Sequence, residues 1–185
     1  ADIRLTPYLS SKTKTLEFAS RYNLRKGVFR ADGAVSSDDL EGERGYLFAD
    51  FDYRLPRDFL LETQIELVSD PGYLFTYNYE ERDRLTNQLK VSRVRDKDLL
   101  RASVTEFRTL REDEIPIRDR LTDRYAEVTY RRDVPALSFG GRTEIRIDAA
   151  ALKPGNIRDV AALGAVVVED VDRRLAAAPR RAQAE

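Results

Sequence analysis

Apolar side chains recur at every second position along most of this chain, and this period constrains the fold more than any other feature. In the clearest segment, residues 58–68, most odd-numbered positions are apolar and three even-numbered positions are polar: Glu62, Gln64 and Glu66. Successive side chains of a strand point to opposite faces, so the pattern predicts a strand with one polar and one apolar face. Further strands are predicted at 3–8, 15–24, 27–35, 45–54, 85–93, 98–108, 124–132, 142–148 and 158–168. The sequence therefore predicts an all-β chain, an antiparallel up-and-down meander of about ten strands.

The connections between these segments alternate in length. The short ones fall at Leu24–Gly27, Leu55–Asp58, Arg95–Asp98 and Asp133–Ala136. The longer, polar ones fall at Ser36–Arg44, Ser69–Arg84, Leu110–Asp123 and Lys153–Ile157. Every second connection of a meander lies at the same end, so short turns are expected at one end and long loops at the other. That layout is typical of outer-membrane barrels, whereas a Greek-key sandwich has no reason to sort its loops.

The length of the predicted strands favours the same architecture. Most segments approach the ~9–11 residues that a tilted membrane-spanning strand needs, whereas ordinary strands have about 5–6. In such a barrel the apolar rows face lipid and the polar rows face a wet lumen. We therefore interpret the chain as part of an outer-membrane β-barrel.

An aromatic residue stands at every second position of one loop segment, at Tyr73, Phe75, Tyr77 and Tyr79. One interpretation is an aromatic girdle at the membrane interface, where rings with a polar tip are favourable. The other is an extension of a strand that packs against a neighbouring loop.

The composition excludes several classes of chemistry. The 185 residues include no Cys and no His, so Ser-His-Asp catalysis, thiolate nucleophiles and His-ligated zinc cannot occur. The formal net charge of -1 argues against a nucleic-acid binder. Adjacent acids at Asp38–Asp39, Glu80–Glu81 and Glu112–Glu114 are interpreted as solvated loop charge, with a glycosidase pair or a calcium site as the alternatives. We predict no enzymatic activity, no cofactor and no metal.

The polar rows supply the candidate functional residues. If segments 84–95 and 98–108 pair through the turn at 95–98, Lys90 and Ser92 stand near Arg101 and Ser103. Together with Glu62, Gln64 and Glu66, these side chains are predicted to face the lumen. Opposite charges in balance across a lumen would suit the passage of a large anionic amphiphile.

The C-terminal end differs in composition from the rest. Residues 1–169 form the predicted barrel domain, and 170–185 form an Ala- and Arg-rich tail. Its Ala-Ala-Ala run before Pro179 predicts a short helix or a disordered end. No apolar run approaches the ~18 residues of a membrane-spanning helix.

Several phrases in the middle of the chain resemble a known family. They are Gly45–Asp50, Leu55–Phe59, Glu66–Leu74, Asp83–Leu85 and Phe107–Glu114. In their order they resemble the barrel domain of the LptD family of lipopolysaccharide-assembly outer-membrane proteins, in the alphaproteobacterial form, over roughly residues 1–150. The resemblance implies a larger barrel in the cell outer membrane, a plug lipoprotein as partner and lipopolysaccharide as cargo. It identifies no functional residue.

Two interpretations follow. The first is a fragment of an outer-membrane barrel for lipopolysaccharide transport and assembly. The alternative is a soluble β-sandwich or small barrel that binds a ligand or a protein partner. The apolar positions Phe59, Leu61, Ile65 and Leu67 distinguish the two, because they point to lipid in the first and into a dry core in the second.

Overall fold

The fold is all-β, as the alternation predicted. A computed structural model describes residues 1–38, 42–80, 82–111, 113–120, 122–134, 143–154 and 161–170. All ten predicted strands are present: β1 (Asp2–Leu9), β2 (Thr13–Leu24), β3 (Gly27–Asp38), β4 (Gly42–Arg54), β5 (Phe59–Val68), β6 (Arg84–Arg95), β7 (Asp98–Thr109), β8 (Thr122–Val134), β9 (Thr143–Pro154) and β10 (Ala161–Asp170).

The strands form one antiparallel sheet in sequence order, from β1 to β10. Each strand pairs with the next along the chain, and the pairings of the described strands include none between β1 and β10. No second sheet is present among the described residues, so the described part is an up-and-down meander and not a two-layer sandwich.

The register divides the side chains into two faces of opposite character. What we call the polar face carries, on successive strands from β2 to β9, Thr15, Arg30, Asp50, Gln64, Gln88, Ser103, Glu127 and Asp148. What we call the apolar face carries Leu16, Phe29, Leu47, Ile65, Leu89, Val104, Val128 and Ile147. Because a strand alternates with period two, a single register shift would exchange these faces.

The apolar face is the more exposed of the two. Val35, Leu89 and Val104 are 57%, 50% and 53% exposed, whereas Ser103 and Thr105 on the polar face are 6% and 4% exposed. Ile65 and Leu67 are 39% and 48% exposed, and Phe59 and Leu61 on the same face are half-buried. These apolar side chains do not meet in a dry interior within the described sheet.

The short turns at Leu24–Gly27, Leu55–Asp58 and Arg95–Asp98 are confirmed by the ends of their strands. The predicted long loop at Ser36–Arg44 is wrong, because Ser36 and Arg44 are register partners inside β3 and β4. Polar side chains there extend the sheet instead of ending it. The strict alternation of short and long connections therefore fails at this point.

Two long connections are confirmed, at Ser69–Arg84 and at Leu110–Asp123. The first holds a single helical turn, α1 (Tyr73–Thr76). The aromatic run of this segment is thus not a strand extension, since α1 and the turn after it break the alternation. The second connection contains a 3₁₀ segment, Ile115–Arg120.

The sequence features near the C-terminus are only partly described. The turn predicted at Asp133–Ala136 and the loop predicted at Lys153–Ile157 extend into residues 135–142 and 155–160, which lie outside the described residues. Residues 171–185 of the predicted tail lie outside them too. No helix in the described part is long and apolar enough to cross a membrane.

Candidate functional site: the polar face

The structure brings the seven predicted site residues together on the polar face. Glu62 on β5 pairs in register with Lys90 on β6, and Lys90 pairs with Ser103 on β7. Ser92 pairs with Arg101 one step nearer the turn. Gln64 and Glu66 follow Glu62 along the same face of β5. The placement of Lys90 and Ser92 beside Ser103 and Arg101 was predicted from the turn at 95–98.

An ion pair between β5 and β6 and a hydrogen bond along β5 join four of these residues. Lys90 Nζ lies 2.9 Å from Glu62 Oε2, and both side chains are about one-third exposed or less. Gln64 Nε2 donates to Glu66 Oε1 at 2.7 Å. Cross-strand pairs of opposite charge stabilise a sheet modestly, by roughly 0.2–1 kcal/mol each. The row therefore presents donors and acceptors in fixed positions, and the charges of Lys90 and Glu62 compensate each other.

The same row continues on strands where no site residue was predicted. Ser103 Oγ donates to Glu127 Oε1 on β8 at 3.3 Å, and Thr129 Oγ1 donates to Asp148 Oδ1 on β9 at 2.8 Å. The alternation at 124–132 and 142–148 already placed these polar positions on one face. The row could therefore have been extended from the sequence once the register between these strands was assumed.

Glu66 is the most buried of the predicted residues, at 4% exposure. Its carboxylate accepts a hydrogen bond from the Thr86 backbone N–H at 2.7 Å and forms an ion pair with Arg82. The Arg82 guanidinium also lies over the Phe48 ring, 4.5 Å from its centre. A buried carboxylate is tolerated when it is paired and hydrogen-bonded in this way. Glu66 thereby fixes the end of the Ser69–Arg84 connection onto the sheet.

An aromatic cluster covers the long-loop end of the polar face. It consists of Tyr46 and Phe48 from β4 and of Tyr73, Tyr77 and Tyr79 from the Ser69–Arg84 connection. Its centre is Tyr73, which is fully buried. In the sequence, Tyr73, Tyr77 and Tyr79 are recognisable only as members of an alternating aromatic run. The girdle interpretation of that run has no direct support here, because Tyr73 packs within the protein while Phe75 alone is strongly exposed, at 75%.

A chain of hydroxyl groups runs beneath the cluster. Thr15 Oγ1 and Ser36 Oγ are 2.8 Å apart, and Ser36 Oγ is 2.7 Å from Tyr73 Oη. Tyr73 is hydrogen-bonded in turn to Tyr79, and Tyr79 to Glu17. Burial raises the pKa of Tyr79 above its usual value, and the bond to the Glu17 carboxylate raises the pKa further. These tyrosines therefore stay neutral donors at ordinary pH.

Asp38 has a structural role that the sequence did not indicate. We predicted solvated loop charge at this position, but Asp38 ends β3 and is 10% exposed at its side chain. Its Oδ2 accepts from Arg44 Nη2 at 2.8 Å and from Tyr77 Oη at 3.0 Å. The aromatic cluster is thus bonded to the sheet at two points: Tyr77 binds the buried Asp38–Arg44 ion pair, and Tyr73 binds Ser36.

The groups that the polar face arranges in rows can bind a polar ligand. Among the described residues, no group of three or more acidic side chains is placed to hold a metal ion. What the polar face provides is hydroxyls, amides and paired charges in fixed rows, with aromatic rings at one end. No family model matches the chain, and no curated protein matches it either.

Proposed function

We propose that this chain forms part of the wall of an outer-membrane β-barrel that transports and assembles lipopolysaccharide. The observation that carries the proposal is the contrast between the two faces of the sheet. Half-exposed aliphatic side chains such as Leu89, Val104 and Val128 cover one face, and the opposite face is polar from β2 to β9. An exposed apolar surface of this extent in a soluble protein would be an aggregation liability, whereas a lipid bilayer covers it.

Charges on the apolar face support a membrane band. On β6 to β8 they occur on either side of the central positions, towards the strand ends, at Arg93, Arg95, Asp98, Glu106, Arg108, Arg124 and Arg132. The central positions Leu89, Val104 and Val128 between them are apolar. A charge on the lipid face is costly at the midplane and nearly free at the interfaces, so this distribution is the one that a bilayer favours.

Lipopolysaccharide as the cargo follows from the resemblance to the LptD family. Several of the phrases that carry it, Gly45–Asp50, Glu66–Leu74 and Phe107–Glu114, lie at the long-loop end of the sheet, around the aromatic cluster. The resemblance also supplies a plug lipoprotein as partner and the cell outer membrane as location. The polar face suits such a cargo, because paired charges and hydroxyls can exchange hydrogen bonds with sugars and phosphates without holding them tightly.

The soluble alternative gains no comparable support. A sandwich or small closed barrel would bury the apolar rows against each other, and the described sheet leaves them exposed.

Site-specific photo-crosslinking in a Gram-negative cell tests the proposal. A photoreactive residue replaces Ser103 on the polar face or, as the matched control, its neighbour Val104 on the apolar face. We expect outer-membrane localisation and an adduct between position 103 and lipopolysaccharide that disappears when lipopolysaccharide synthesis is stopped. A chain recovered from the soluble fraction, or an adduct at 104 but never at 103, contradicts the proposal.

A further inference from the structure

A cleft of about 660 Å³ opens on the polar face beside the aromatic cluster. It lies between the β1–β2 hairpin and the Ser69–Arg84 connection. Its walls include Tyr8, Thr13, Glu17, Tyr77 and Tyr79. The volume falls within the range of roughly 300–1,000 Å³ that is common for small-molecule sites.

Hydrogen bonds to two carboxylates hold the aromatic wall of the cleft in place. Tyr77 and Tyr79 lie nearly parallel, with ring centres 6.2 Å apart. Tyr77 Oη donates to Asp38, and the Tyr79 hydroxyl is bonded to Glu17. Because these bonds fix the rings before any ligand arrives, a ligand that packs on them loses little side-chain entropy. Tyr8, across the cleft on β1, is 53% exposed and presents a third ring to a ligand.

The polar groups of the cleft are acceptors and hydroxyls. Glu17 is half-buried and uses part of its carboxylate for Tyr79, and a carboxylate has about four lone-pair sites. Thr13 adds a hydroxyl near the open end. No Lys or Arg is among the residues that line this cleft, so it offers no cation to an anionic ligand.

We propose that this cleft binds a neutral segment of an oligosaccharide. The carbon-bound hydrogens of a pyranose ring pack on aromatic faces, and its hydroxyls donate to a carboxylate such as Glu17. The Glu17 charge disfavours a phosphate or carboxylate ligand. A quaternary ammonium group, the usual ligand of an aromatic cage, would fill only a small part of the volume. The inference deepens the proposed function and rests on it for the source of the sugar, the saccharide part of the transported lipid.

Calorimetric titration of the full chain with cellotetraose tests the inference. The chain is dispersed in a polyoxyethylene detergent, because sugar-headed and choline-headed detergents would compete for the cleft. Tyr8→Ala removes one aromatic face without touching the hydroxyl chain, and the matched control is Tyr22→Ala, which is 51% exposed on the apolar face. We expect saturable binding that Tyr8→Ala weakens about tenfold and Tyr22→Ala leaves unchanged. Glu17→Gln should weaken binding severalfold.

Three results overturn the inference: no saturable binding, binding that is equal in the Tyr8→Ala and unsubstituted chains, or tighter binding of choline than of cellotetraose. None of these three results changes the expected crosslinking at Ser103, because that adduct does not require a saccharide site in the cleft beside the aromatic cluster. The two experiments therefore test separately whether the cleft binds a saccharide and whether the chain transports lipopolysaccharide.

Discussion

At the scale of single residues, Ser36 connects the sheet to the loop that covers it. It is fully buried and contacts both Thr15 on β2 and Tyr73 in α1. Ser36→Ala removes the hydrogen bonds to Thr15 and Tyr73, so that Tyr73 keeps only its bond to Tyr79, and we expect a loss of about 1–3 kcal/mol in the free energy of unfolding. Urea unfolding in detergent, followed by circular dichroism, measures this loss. Ser37→Ala, at the exposed neighbouring position, is the control and should change stability little.

The Tyr79 hydroxyl makes the stability of the fold depend on pH in the alkaline range. Burial, the largest cause, and the bond to Glu17 raise the pKa of Tyr79 above the ordinary value of 10.0. A group whose pKa is higher in the folded than in the unfolded state stabilises the fold below its unfolded pKa, and that contribution is lost as the pH rises above it. We therefore expect stability to fall above pH 10.0, and to fall less steeply in Tyr79→Phe.

Unfolding midpoints taken at a series of alkaline pH values measure this slope. Tyr22→Phe, on the apolar face and outside the aromatic cluster, is the matched control. Equal slopes for Tyr79→Phe and the unsubstituted chain would show that the Tyr79 hydroxyl is not in the buried, hydrogen-bonded position described above.

At the scale of elements, the Ser69–Arg84 connection behaves as a cover for one end of the polar face. Arg82 holds its C-terminal side through Glu66 and through Glu80, whose Oε2 is 2.6 Å from Arg82 Nε. In Arg82→Ala the buried Glu66 charge loses its counter-ion, which is strongly destabilising. We expect faster hydrogen exchange across residues 69–80, measured by mass spectrometry. Arg84→Ala, which removes a half-exposed arginine at the start of β6, should leave that exchange unchanged.

The strands could be predicted from the sequence because their signal is local. Each is a run of alternating side chains, and the register follows once the tight turns at 25–26 and 96–97 are placed. The same reasoning brought Lys90 and Ser92 opposite Ser103 and Arg101. The predicted site is thus a product of alternation and turn position alone.

The cover over the polar face could not be predicted in this way. Tyr73 contacts Ser36, a residue 37 positions earlier in the chain, and packs in a cluster with Val68 and Leu110. No local sequence pattern indicates contacts between residues so far apart. The polar residues of segment 36–44 predict a loop. Residues 36–38 and 42–44 belong to β3 and β4 in the structure. Asp38 pairs with Arg44 and Ser36 bonds to Tyr73, so the polarity of these side chains is satisfied within the fold.

At the scale of the whole molecule, the proposed function requires that the apolar face of the sheet meets lipid. The sheet has an exposed apolar face from β1 to β9, with Ile3 and Leu5 on β1 at 74% and 62% exposure and Ile147 on β9 at 40%. An unpaired sheet edge and an apolar face of this width promote association in water. The polar rows on the other face need water or a hydrated cargo. In a barrel wall, lipid covers the apolar face, water fills the lumen beside the polar face, and neighbouring strands pair with the sheet edges.

The most direct test uses a single tryptophan as a reporter of lipid contact, since the chain contains none of its own. Leu89→Trp places the reporter on the apolar face, and Gln88→Trp places it one residue away on the polar face. The chain is reconstituted in vesicles whose acyl chains carry bromine, which quenches tryptophan fluorescence on contact. We predict strong quenching of Leu89→Trp and weak quenching of Gln88→Trp. Equal quenching at the two positions, or stronger quenching at Gln88→Trp, would contradict the assignment of the apolar face to lipid.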